Sequence, residues 1–110
     1  MQKMSLQALG RELVERARGG SNGRAAETVV GGHERVLRQT MIGLLQGAAL
    51  GEHESPGEAT VHVVAGRVRL RAGENAWEGR EGDLLVVPDS LHDLEAIEDS
   101  AVLLTVAKPG

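Results

Sequence analysis

The side chains able to do chemistry are few. There is no cysteine, which removes disulfides, thiolate metal sites and a cysteine nucleophile. Four histidines remain, at positions 33, 53, 62 and 92. Imidazole is the side chain that exchanges protons near neutral pH, and it is also a common metal ligand. His33 follows Gly31 and Gly32 and reads as an exposed residue. His92 and Asp93 are adjacent, so on a strand they point to opposite faces and form no dyad. No Ser-His-Asp arrangement, phosphate-binding loop or pair of carboxylates stands out.

The elements that must hold these residues are mostly strands. One helix comes first: Leu6, Leu9, Leu13 and Ala17 recur at helical spacing between a Ser5 N-cap and a Gly19-Gly20 stop. Gly10 is a weak helix former inside it. A Gly-rich connector, residues 19–23, follows, so the chain divides into a helix and connector over 1–23 and an all-β domain over 24–110. The helix is expected to dock on the outside of that domain or on a partner subunit. Short apolar runs then alternate with Gly, Pro and Asp: 28–30, 36–45, 60–64, 67–72, a short strand around Trp77, 84–87, 92–96 and 101–107. Arg67 to Arg71 alternates charged and aliphatic residues, as a strand with one wet face does. Ala65-Gly66 reads as a hairpin turn, and Leu84 to Val87 as a buried run ended by Pro88. Many short strands at near-regular spacing indicate a β-sandwich or barrel.

Gly51 to Gly66 (GEHESPGEATVHVVAG) and Gly82 to His92 (GDLLVVPDSLH) resemble the two motifs of the cupin family of jelly-roll barrels. The resemblance spans about residues 36–107. It implies an all-β, cupin-type double-stranded β-helix (an RmlC-like jelly roll) with a short N-terminal α-helix. It implies homodimers too. In the family, three His and one Glu bind a metal inside the barrel. Here His53 matches the first His, Ser55 replaces the second, Ala59 stands in the Glu position and His92 matches the last. Glu58 and His62 have the opposite strand parity to Ala59, so they are expected to point away. Two imidazoles hold a divalent ion weakly, since tight sites use three or four protein ligands. A Zn, Mn, Fe or Ni ion on His53 and His92 is therefore an alternative, and no tightly bound cofactor is the main expectation.

Leu37, Gln39 and Met41 share a face. If that face is the barrel interior, Gln39 joins His53, Ser55 and His92 in a ligand pocket; if not, Arg38 and Thr40 point inward. The leading expectation is a barrel that binds a small molecule near His53 and His92. The alternatives are a metal-dependent enzyme of dioxygenase, isomerase or decarboxylase type, and a structural or regulatory dimer with a filled barrel.

Charge and composition set limits. Residues 1–38 carry seven Lys/Arg and four Asp/Glu, and residues 39–110 carry five and twelve, so the main body is acidic and unsuited to nucleic acid. The 110 residues make one domain. No apolar run serves as a signal peptide or membrane span, and with the absence of cysteine this fits a cytoplasmic location. Trp77 is the sole aromatic, so the core must be aliphatic, and Trp77 is expected to cap that core or meet a partner or ligand.

Overall fold

The computed structural model describes residues 3–54 and 57–107. In chain order it contains α1 (Leu6–Arg18), β1 (Arg24–Val30), β2 (Leu37–Leu44), β3 (Glu58–Ala65), β4 (Arg67–Ala72), β5 (Asn75–Arg80), β6 (Leu84–Val86), β7 (Asp93–Ala96) and β8 (Ser100–Ala107). Two antiparallel sheets form, one ordered β1-β2-β8-β3-β6 and one ordered β5-β4-β7. Alternation along each strand turns one set of side chains between the sheets. Ile42, Leu44, Val61, Val63, Val102 and Val106 come from the first sheet; Val68, Leu70, Leu94 and Ala96 come from the second. This aliphatic layer is the barrel core, a jelly roll as expected.

A second core lies on the other side of the five-stranded sheet. There α1 covers Met41, Val64, Ala101 and Leu103 with Leu13 and the partly buried Leu6 and Leu9. The Ser5 side chain caps the helix by accepting from the Ala8 N–H, and Gly19 ends it. A Cβ at Gly43 would stand 2.6 Å from the Leu13 carbonyl carbon, and one at Gly10 would stand 2.8 Å from the Ala101 Cβ. The missing side chains let the helix lie directly on the strands, which explains Gly10 despite its poor propensity. The Arg18 guanidinium donates to Asp99 at 2.9 Å, and Asp99 also accepts from the Gln46 N–H at 2.8 Å, tying the helix end to the barrel.

Three local expectations change. Ala65-Gly66 does not close a paired hairpin, because β3 pairs with β8 and β6 whereas β4 pairs with β5 and β7. Gly66, with φ +87°, carries the chain from one sheet to the other, and any side chain there would strike Ser100 Oγ and the Asp99 carbonyl. Residues 84–87 are buried on one face only: Val87 and the partly buried Leu85 join the barrel core, whereas Leu84 is 61% and Val86 74% exposed, because their side chains alternate onto the outer face, where no described residue of α1 packs on them. Strand β1 starts at Arg24, ahead of the apolar residues that signal it, because pairing with β2 recruits Arg24–Glu27. Among the described residues no helix is long and apolar enough to cross a membrane.

Candidate functional site

His53 and His92 meet at one end of the barrel. Residues 47–53 run antiparallel beside 92–96 and extend the three-stranded sheet past β7. The Leu50 N–H donates to the Leu94 carbonyl at 3.0 Å, and Ala49 lies opposite Glu95. Three residues later His53 lies opposite His92, with bonds in both directions: His53 N to His92 O at 2.9 Å and His92 N to His53 O at 3.0 Å. One side has advanced three residues and the other two. The extra residue is a bulge at Gly51-Glu52, where Gly51 takes φ +89° and its N–H is held by Asp93 Oδ1 at 2.8 Å. The slip changes strand parity, so His53 lines the same void as Leu50 despite the odd spacing between them.

The two rings lie edge to face, with centroids 4.4 Å apart and planes at 62°. Each folds back on its own turn: His53 Nδ1 is 2.8 Å from the Gly51 carbonyl, and His92 Nδ1 is 2.8 Å from the Ser90 carbonyl. A carbonyl oxygen only accepts, so each Nδ1 carries the proton and donates. In the neutral rings each Nε2 is then the acceptor. The two differ in setting: His92 is 5% exposed, whereas His53 is exposed on the rim. Behind them Leu50, Leu70, Val87, Leu94 and Leu104 line a void of about 20 Å³. That is room for about one water molecule. The barrel interior is thus filled by its own aliphatic side chains, and the polar groups stand at its mouth.

The remaining candidates fall in different places. Ser55 lies outside the described residues. Gln39 is not at the mouth. Its Nε2 donates to Thr105 Oγ1 at 3.1 Å on the neighbouring strand, and its face continues to Met41 under the helix. Ile42 and Leu44 face the barrel, so Arg38 and Thr40 have the inward parity. Ala59 is buried in the barrel core, as its position in the motif implies. Glu58 is exposed, and His62 is half-buried on the outer face with Leu84 and Leu103 beside it. His33 is exposed. Among the described residues no group of three or more His, Cys, Asp and Glu converges on one point. A larger groove, about 370 Å³, lies between α1 and the ends of β3 and β8, with Arg11, Glu81 and Asp99 on its walls and no histidine. Sequence reasoning missed the carbonyls of Gly51 and Ser90, which set the imidazole tautomers. Their only trace in the sequence is the glycine itself.

A filled double-sheet jelly roll with two histidines at its mouth defines a cupin-type architecture, and comparison with solved structures agrees. The chain is similar to a conserved protein of unknown function from Streptococcus pyogenes, at 29% identity and a TM-score of 0.73, over 83% of this chain and 79% of that one. It is similar to a cupin superfamily protein from Desulfitobacterium hafniense, at 14% identity and a TM-score of 0.73, over 82% of each chain. An RmlC-like cupin from Desulfovibrio desulfuricans matches at 24% identity and a TM-score of 0.67, over 76% of this chain and 81% of that one. The fold is that of the small RmlC-like cupins. No family model matches the sequence, and no curated protein does.

Proposed function

We propose that the chain binds a small molecule across the mouth of its barrel, through the Nε2 atoms of His53 and His92. The observation that supports this is the pair of Nδ1–carbonyl bonds, which fix both tautomers and leave two adjacent Nε2 acceptors. Such orientation by the protein's own backbone lowers the ordering cost of binding. With about 20 Å³ behind the rings, the ligand rests on the rim and is not enclosed. It presents a hydrogen-bond donor, such as a hydroxyl, to the imidazoles and an apolar edge toward Leu50 and Val87.

The metal-dependent alternative draws support from the same Nδ1–carbonyl bonds, because metal-binding histidines are commonly held in this way. The donor set does not fit it. A tightly held Zn, Mn, Fe or Ni ion needs a third or fourth ligand. The matching Glu position is Ala59, and no other His, Cys, Asp or Glu among the described residues completes the set.

NMR titration with a library of small hydroxylated and carboxylate compounds tests the proposal. Binders should move the methyl signals of Leu50, Val87 and Leu94 and the imidazole signals of both histidines. Binding should weaken about tenfold or more in His92→Ala, since each lost charge-free hydrogen bond to a buried group costs about 1–3 kcal/mol. Compounds that all map to the groove beside Arg11, or that bind His53→Ala/His92→Ala undiminished, would overturn it. Titration of the wild type with Zn²⁺ separates the alternative: a tight equimolar complex would restore the metal reading.

A further inference from the structure

The segment that carries His53 to the mouth is held at its bulge by two charged side chains, one from each sheet. Arg24 opens β1 in the five-stranded sheet, directly across from the barrel-facing Leu44, so its side chain starts from the barrel face. Its Nη1 donates to the Ala49 carbonyl at 3.0 Å and to the Leu50 carbonyl at 3.2 Å. Asp93 belongs to β7 in the three-stranded sheet, and its Oδ1 accepts from the Gly51 N–H at 2.8 Å. The Leu50 carbonyl and the Gly51 N–H are the two ends of one peptide unit. That unit is therefore gripped at its oxygen by a cation and at its N–H by an anion. In a regular ladder such groups bond the neighbouring strand; at the bulge they bond side chains instead. Hydrogen bonds to charged groups are the stronger kind. Among the described residues neither Arg24 nor Asp93 forms an ion pair, so both charges are spent on this stretch of backbone.

We infer that Arg24 and Asp93 are positioning residues for the mouth, a role that rests on the reading of His53 as a ligand-binding group. By fixing the Leu50–Gly51 peptide they set the direction of the Gly51 carbonyl, and through it the ring and the tautomer of His53. Few bonds separate cause from effect. The gripped peptide ends at the Gly51 Cα, where a φ of +89° aims the next carbonyl. That carbonyl is 2.8 Å from His53 Nδ1. A hydrogen bond of this kind decides which imidazole nitrogen carries the proton. Glycine adopts φ of either sign with little cost, so Gly51 permits the bulge but does not by itself select one direction for its carbonyl. The two charged groups supply that selection. His53 depends on it more than His92 does. His53 is exposed on the rim, whereas His92 is buried and has a separate tether at the Ser90 carbonyl. Arg24 and Asp93 thus act on the acceptor geometry of the mouth without standing in it, and they act on one histidine of the pair.

Imidazole nitrogen NMR spectra of the whole chain without ligand, at about pH 8 where neutral rings dominate, test this. In the wild type both rings should show the proton on Nδ1. In Arg24→Met the two ring-nitrogen shifts of His53 should move toward each other as the tautomers mix, while those of His92 stay in place. Arg24→Lys keeps the charge without the planar fork, and should hold His53 closer to the wild-type form than Arg24→Met does. Asp93→Ala should mix the His53 tautomers too, and should speed amide exchange at Gly51 about tenfold or more through loss of a charge-assisted bond. Leu13→Ala separates positioning from stability: it should lower the thermal midpoint and leave both rings unchanged. A His53 that keeps its wild-type tautomer in folded Arg24→Met and Asp93→Ala overturns the inference. So does a change in Arg24→Met that is as large at His92, or one that Leu13→Ala reproduces. Failure of the binding reading looks different: no compound of the library binds the wild type, whatever the ring spectra show.

Discussion

On the outer face of the three-stranded sheet, Arg67, Arg69 and Arg71 project from β4 between Glu78 on β5 and Glu95 on β7. On the outer face of the five-stranded sheet, α1 lies over Met41, Ala101 and Leu103, and the uncovered part ends in Leu84 and Val86. Both faces lie outside the barrel core, yet they meet water differently. The first is a ladder of ion pairs that water can reach. Arg67 and Arg69 both bond Glu78 and hold its carboxyl below the usual carboxylate range. The second is a layered apolar contact with few charges. The difference shows where a 110-residue chain finds its stability: an extra helix adds a second core, which a lone eight-stranded barrel of this size lacks. The charged face contributes solubility and opposes sheet-to-sheet association, since its partners are screened and exposed.

Leu13→Ala should show the largest effect. Leu13 is fully buried between α1 and the sheet, and its truncation is expected to cost about 2–5 kcal/mol in urea unfolding. A loss within error would mean that the helix adds no stability and would undo the contrast between the faces. Asp99→Asn probes the polar tie at the helix end and should cost about 1 kcal/mol or less at pH 7. The Gln46 N–H, and then Arg18, hold the Asp99 carboxyl below its ordinary value. A lowered folded-state pKa gives stability that is present above the unfolded value, about 3.9, and is lost as pH falls through the folded value. The gap between wild type and Asp99→Asn should therefore close as pH falls below the unfolded value and through the lowered folded one. A gap that persists below both values would show that charge is not its source. Glu78→Gln should have the smallest effect, with a shift in midpoint near the error of thermal denaturation that vanishes in high salt. A large, salt-insensitive loss would show that the ladder is a structural core and not a solvated face.

Much of this contrast was legible along the chain. The Arg67–Ala72 alternation marked a strand with one wet face, and the Leu6, Leu9, Leu13, Ala17 stripe marked a helix needing an apolar surface. The identity of that surface was not legible, because Met41 and Leu103 look like any other strand aliphatics until the pairing order sets their face. Leu84–Val87 misled for a related reason: a uniform apolar run does not say which of its two faces another element covers.

The site divides in the same way. By itself the sequence determined the fold type and the strand alternation, because side-chain period and turn residues are local properties. It also determined that Ala59 occupies the position where the related motif carries a carboxylate. Only the tertiary structure decided that Gln39 faces away from the mouth. It alone decided that His53 reaches His92 through a one-residue bulge at Gly51, that the space behind the two rings is about 20 Å³, and that β6 has an open side. These depend on register and on which strands become neighbours. Both are set by contacts between residues tens of positions apart, and no short stretch of sequence contains them.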